Sequence, residues 1–253
     1  IFLGSCTFVI FTVFFGTLNM PFSKEVILIS SLLLIALLMR LLIKNLNKEE
    51  QYTIVGTAII IFVFRAMPSP GAGLNWFEID ILGFNQSFFS LLAVTSALIT
   101  LIGMITLKNV MMRASLARLF IVLSIFSSIL YTPSLFMYYG LHNYTSTITN
   151  GLVDAKFIAI LNTAVESPLA QVAMIPMLAW IAKNAPSKYK ATFFAVFASF
   201  TNLALSAREL FTKYLNKLFI IKREIVDLDT GKVLERANYS DLDELLISII
   251  LIT

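Results

Sequence analysis

Charge is scarce in this sequence. Asp, Glu, Lys and Arg make up 13% of its 253 residues, while apolar residues make up 58%. A soluble domain is about half apolar and about a quarter charged. The deficit excludes a cytosolic enzyme, a disordered tail and a nucleic-acid-binding domain, and it marks an integral membrane protein. Cysteine is nearly absent as well: Cys6 is the only one, so no internal disulfide can form. There is one histidine, His142, and an isolated loop histidine is a poor ligand. No phosphate-binding loop, paired Cys/His metal pattern or serine-nucleophile elbow occurs. A basic aromatic stripe for nucleic acid is also missing. The expectation is therefore of no catalytic residues, no metal and no cofactor.

What the chain does have is long apolar runs, at 1–19, 25–43, 52–67, 86–107, 116–139, 152–182 and 189–218, with a further start at 242–253. Asn19 and Pro21 end the first, and Pro68, Pro70, Gly71 and Gly73 stop the third. A spanning helix needs about 20 residues. Lipid cannot satisfy stray backbone N–H groups, so the spans are expected to be helical. The run 52–67 is short unless it continues past Pro68. The first run lacks the basic start and Ala-x-Ala exit of a signal peptide. Residue 1 is Ile and the last apolar stretch is too short to cross a bilayer, so the expectation is of a fragment cut inside a helix at one or both ends.

The net charge of +4 is informative by position. Arg40, Lys44 and Lys48 flank one connection, Lys108, Arg113 and Arg118 another, and Lys183, Lys188 and Lys190 a third. The intervening connections, 68–85 and 140–151, hold no Lys or Arg. The positive-inside rule places loops 44–51, 108–115 and 183–190 in the cytoplasm. The segment 219–241 breaks the alternation with Lys222, Arg223, Lys232 and Arg236, balanced by Glu224, Asp227, Asp229 and Glu235. Its alternating arms, Ile221 to Val226 and Lys232 to Arg236, surround Asp229-Thr230-Gly231. That predicts a small extramembrane β-hairpin at about 219–237.

Charges inside a span are costly and tend to face a cavity or a partner. Glu166 lies deep in the run 152–182, sharing one helical face with Asn162, Ala170 and Ala173. Pro168 and Pro176 break the backbone bonding nearby, and broken helices at mid-membrane often line binding sites. Glu166 reads equally well as a titrating or substrate-contacting carboxylate and as one neutralised by a basic neighbour to lock packing. Arg65, just before Met67-Pro68, suits an anionic or planar ligand, or a snorkelling or ion-paired place near the outer surface. Asp154 and Lys156 open their run at its outer end, where Asp154 favours a helix N-terminus or has a coupling role. Glu78 and Asp80, with Trp76, are expected to face water. Arg208 and Glu209 are expected at the far interface, with Glu209 able to pair with Lys213. Ala191, Ala195, Ser199, Asn202 and Ser206 form a small, polar face, read first as close helix packing. Asn202 is the exception that also suits a cavity.

The segment P-M-L-A-W-I-A-K-N-A-P-S-K-Y-K-A-T-F-F-A-V-F-A-S-F-T-N, Pro176 to Asn202, resembles the signature of the folate–biopterin transporter family of the major facilitator superfamily. The matching positions are Pro176, Pro186, Ala191-Thr192, Phe194-Ala195, Ser199 and Asn202. Phe64 to Pro68 (F-R-A-M-P), Leu82 to Phe84 (L-G-F) and Val153 to Phe157 (V-D-A-K-F) resemble that family's seventh helix, following loop and tenth helix. The resemblance covers roughly 52–220 and is most similar to the bacterial branch, which would place the protein in a bacterial inner membrane.

The resemblance implies an all-α, multi-pass bundle of twelve helices in two halves. Residues 1–43 would be the last two helices of the N-terminal half, 44–51 the cytoplasmic link, and 52–253 the C-terminal half with a truncated last helix. The link is shorter than is usual in the family. The implied function is secondary active transport of folate, pterin or a related small aromatic anion, with protons as a further partner and symport as the mode. In that scheme Glu166 or Asp154 exchanges a proton, Arg65 holds a substrate carboxylate or stacks on its ring, and Asn202 and Asn162 are neutral contacts. Two other classes stay open: a non-transporting membrane sensor or assembly factor on the same fold, and, far behind, a membrane enzyme acting on lipids.

Overall fold

The computed structural model describes residues 2–17, 22–113, 115–185, 190–226 and 233–253. Asn19, Pro21, Pro186, Lys188, Asp227, Lys232 and the turn Asp229-Thr230-Gly231 lie outside them. Eleven helices and two short strands occur among the described residues. In chain order the helices are α1 (Phe2–Thr17), α2 (Ser23–Ile43), α3 (Lys48–Ala66), α4 (Ala72–Asp80), α5 (Gln86–Thr106) and α6 (Lys108–Arg113). They continue with α7 (Leu116–Tyr138), α8 (Leu141–Ile148), α9 (Ala155–Asn184), α10 (Lys190–Leu218) and α11 (Leu242–Ile252); the strands are β1 (Ile225–Val226) and β2 (Val233–Glu235).

The apolar runs thus become helices. Five of them, α2, α5, α7, α9 and α10, are long and apolar enough to cross a membrane. Helix α3 has 19 residues, about 28 Å at 1.5 Å per residue, but carries Lys48, Glu49, Glu50 and Arg65. Burial is low along the spanning helices, and large apolar residues such as Leu33, Leu98 and Ile121 are exposed. Water would penalise that surface, whereas a bilayer solvates it.

Local chemistry sets the helix ends. At α3, Asn47 Oδ1 accepts from Glu50 N–H at 2.8 Å and Glu50 Oε2 accepts from Asn47 N–H at 3.3 Å, a reciprocal cap. Gln51 Nε2 donates back to the carbonyls of Lys44 and Leu46, at 3.4 and 2.8 Å, so side chains fix the turn 44–47. At α5, Asn85 Oδ1 accepts from Phe88 N–H at 2.9 Å.

The chain forms two compact units. One holds residues 1–66 and 180–211. Its packed surfaces include the buried face of α10, with Phe193, Val196, Phe197, Thr201, Ala204, Ala207 and Leu210. Phe193 and Phe197 stack at 4.6 Å between ring centres. Ala66, Ala204 and Ala207 are buried together beside Leu28 and Phe62. The expected close packing of the small, polar face of α10 is corrected here: Ala191, Ala195, Ser199, Asn202 and Ser206 are all exposed. The face with Phe193, Val196 and Phe197 takes the buried side instead.

The other unit holds residues 67–179 and 212–253. Its core forms where α11 packs on α7. Leu242, Leu245, Leu246 and Ile249, spaced i, i+3, i+4 and i+7, are fully buried beside Tyr131, Leu135 and Tyr138. The hairpin is present: β1 and β2 pair antiparallel, Ile225 with Glu235 and Val226 with Val233, and Lys222 bridges to Asn238. Connections 68–85 and 140–151, read as loops, contain the helices α4 and α8. Thr145 Oγ1 donates to Val153 O at 2.8 Å, and Thr149 Oγ1 accepts from Val153 N–H at 2.9 Å, fixing the entry into α9.

Candidate functional site

The sequence-derived site residues lie on α3, α9 and α10 or at the start of α9. Asp154, Asn162 and Glu166 belong to one unit, Arg65 and Asn202 to the other.

Asp154 ends up in a capping role: its Oδ1 accepts from Phe157 N–H at 2.8 Å, at the start of α9. Lys156 Nζ sits 5.8 Å from the centre of the Phe88 ring. Glu166 lies 11 residues past Ala155 in this 30-residue helix, about 17 Å along it. Its side chain is exposed. One turn earlier Asn162 is half-buried, and its Oδ1 is buried without a hydrogen-bond partner. A buried amide oxygen left unmatched costs about 1–3 kcal/mol, so the position invites a donor from outside the chain. Pro168 and Pro176 lie within α9 and deprive the Ala164 and Val172 carbonyls of their usual i+4 donors.

A polar seam that sequence reading missed anchors the middle of α9. Ser167 donates to Thr163 O at 2.5 Å, its hydroxyl lies 2.8 Å from that of Ser96, and Thr100 donates to Ser167 O at 3.2 Å. Gly103 lets α5 and α9 touch: a Cβ there would run into Pro168. The signal was present, because Ser96, Thr100 and Gly103 recur at i, i+4 and i+7 on one face of α5. The seam brackets Glu166 in sequence and fixes the backbone that carries it.

In the other unit, Arg65 Nε donates to Thr201 O at 3.3 Å. The next residue, Asn202, is exposed. The Phe62 and Phe200 rings lie 5.1 Å apart, so α3 meets α10 along this stretch. Arg208 is half-buried and close enough to Arg65 to act on it electrostatically. Beside the turn 44–47, a cavity of about 560 Å³ is lined by Asn47, Glu49, Glu50, Thr53, Lys183 and Asn184, with charges of both signs.

In the unit of residues 67–179 and 212–253, Asp80 on α4 accepts from Arg223 Nη2 at 3.2 Å and from the Tyr239 hydroxyl at 2.5 Å. Burial and then the Asp80 bond raise the Tyr239 phenol, which stays a donor. Tyr139 donates to Asp243 at 2.7 Å and Ile220 N–H to Asp241 at 2.9 Å. The Ser240 hydroxyl and that amide hold Asp241 below its ordinary value. Lys222 pairs with Glu235 across the hairpin. Glu78, expected in water, is half-buried instead, and burial raises its carboxyl to about 7. His142 lies on α8 with its Nδ1 buried and unpartnered. No group of three or more His, Cys, Asp or Glu side chains fit to hold a metal occurs among the described residues.

Comparison with curated proteins and with solved structures finds no match. The BT1 family matches over residues 9–252, nearly the whole chain and well beyond the stretch 52–220 that carries the resemblance. With an all-α membrane fold and a family match over nearly its whole length, the chain belongs to the BT1 family, the folate–biopterin transporters, and is a membrane transporter.

Proposed function

We propose that the protein is a secondary active transporter for folate, pterin or a related small aromatic anion, working by alternating access and driven by protons. Residues 1–43 would then be the last two helices of the N-terminal half, 44–51 the cytoplasmic link and 52–253 the C-terminal half. Loops 108–115 and 183–190 would be cytoplasmic too, and the membrane a bacterial inner membrane. The observation that carries this reading is the middle of α9, where an exposed Glu166 lies one turn from an amide with an unmatched oxygen and two residues before Pro168.

Glu166 is the better coupling group of the two acids considered, because Asp154 already caps its helix. In this scheme Glu166 takes up a proton from one side and releases it to the other as the halves rock. Asn162 and Asn202 are neutral hydrogen-bonding contacts, and Arg65 holds the substrate's negative charge. Rigid packing around the seam lets a small local change be passed on as a discrete motion rather than absorbed.

The test is uptake of labelled folate and biopterin into proteoliposomes under imposed pH gradients. Gradient-driven uptake is expected, and Glu166→Gln should remove the pH drive while the protein still reaches the membrane. Normal pH-driven uptake by that variant would end the role given to Glu166. Absence of flux for both compounds, with folded protein in the vesicles, would withdraw the substrate class and favour the sensor reading.

A further inference from the structure

We propose that Arg65 and Arg208 form a two-guanidinium clamp for a carboxylate, near the non-cytoplasmic end of α3 and α10, and that this clamp selects anionic over neutral substrates. The proposal rests on the transporter reading above and specifies the chemistry that one part of the site would accept.

Depth along the helices is the first argument. Arg65 lies 17 residues beyond Lys48, the start of α3, and Arg208 lies 18 beyond Lys190, the start of α10. Both starts flank basic loops. At 1.5 Å per residue both guanidinium-bearing residues sit about 26 Å along their helices. Packing is the second. Ala66 follows Arg65 and Ala207 precedes Arg208, and these two alanines are buried together with Ala204. Small side chains let the two backbones approach, so the arginines flank a tight seam. Thr201 and Arg208 are seven residues apart, two turns along one face of α10. The Arg65 Nε bond to Thr201 O therefore holds that guanidinium against the face of α10 that, two turns further on, carries Arg208.

Charge is the third argument. Among the described residues neither arginine is in an ion pair, and Arg65 makes no hydrogen bond besides that to Thr201. The like charge of Arg208 repels Arg65. Glu209, next along α10, is exposed and paired with neither. Two like charges beside each other in a span favour the binding of an anion. The terminal N–H groups of Arg65 offer a planar fork, and a carboxylate matches it with two parallel hydrogen bonds. A substrate bearing an acyl-glutamate tail meets this requirement, and an uncharged pterin does not.

Two measurements on the full chain in nanodiscs test the clamp. The first is binding of folate and of biopterin to the wild type and to Arg208→Gln and Arg208→Lys. Folate affinity is expected to fall about tenfold or more in Arg208→Gln and less in Arg208→Lys, with biopterin nearly unchanged. Equal loss for both ligands, or loss for neither, overturns the clamp. The second is arginine modification by phenylglyoxal, read by peptide mass spectrometry, with and without glutarate. Glutarate is expected to slow modification of Arg65 and Arg208 together but not of Arg40, and Arg208→Gln should abolish the protection of Arg65. Lack of protection at both positions also overturns the clamp. Protection by glutarate in a protein that binds neither folate nor biopterin would keep the anion site and withdraw the folate–pterin substrate class.

Discussion

Single residues decide where the polar groups of this protein end up. Glu78 shows how burial outweighs sequence context. It lies in a connection without basic residues, yet α4 turns it inward and raises its carboxyl from an ordinary 4.5 to about 7. A raised carboxyl pKa means that the folded state prefers the neutral acid. Its contribution to stability is therefore full below about pH 4.5 and lost as pH rises through 7. Glu78→Gln should keep the neutral form at every pH. The melting temperature in detergent should then vary less between pH 5 and 8 than in the wild type; an unchanged pH dependence would contradict the burial of this group. Gly103 is the second such residue. Gly103→Ala would push a methyl group into Pro168, and overpacking of this kind costs about 1–3 kcal/mol. A lower melting temperature is expected, together with weaker uptake, because Pro168 lies two residues past Glu166. A melting curve identical to the wild type would show that α5 and α9 do not meet there.

At the scale of elements, the hairpin is more than an appendage. Through Arg223 and Tyr239 it holds α4 by the single carboxylate of Asp80. Tyr239 also belongs to the core cluster formed by Phe77, Ile221 and the buried leucines of α11. Asp80→Ala should remove both acceptor contacts at once and leave a partly buried phenol without its partner, a loss of about 1–3 kcal/mol. Faster hydrogen exchange is expected in α4 and in 221–239, with α5 unchanged. Uniform exchange across both regions in wild type and variant would refute the tie. The pairing of β1 with β2 was legible from two alternating arms in the sequence. Helices α4 and α8 were not, because each is short, polar at several positions and stabilised by neighbours rather than by a long apolar stripe.

For the whole molecule, topology follows from charge. The basic connections at 44–51, 108–115 and 183–190 should be inaccessible to a membrane-impermeant thiol reagent added outside intact cells. The connections 68–85 and 140–151 should be accessible. Single cysteines at Asn47, Asn75 and Asn143 in a Cys6→Ala background would report this. Labelling of the Asn47 site from outside would reverse the orientation and, with it, the sides assigned to proton entry and release. Net positive charge enters the argument only through position, since the count alone of +4 fits many other kinds of protein.

The sequence by itself determined the solvent, the long helices and the family. Apolar runs of spanning length leave the backbone no alternative to helices, because lipid offers no hydrogen bonds. The stretch from Pro176 to Asn202 carried the family resemblance. The apolar runs also singled out Glu166, Arg65 and Asn202, since polar groups within them need no structure to be noticed. Tertiary structure alone decided what each of these groups faces. A helix has several sides, and periodicity names the sides without choosing among them when nearly all are apolar. The burial of Phe193 and Phe197 rather than the Ala191–Ser206 face, the Ser96–Ser167 seam and the bond from Arg65 to Thr201 all depend on which helix lies alongside. Contacts between residues more than sixty positions apart cannot be read from local pattern, because packing between helices, not the order of residues within one, brings them together.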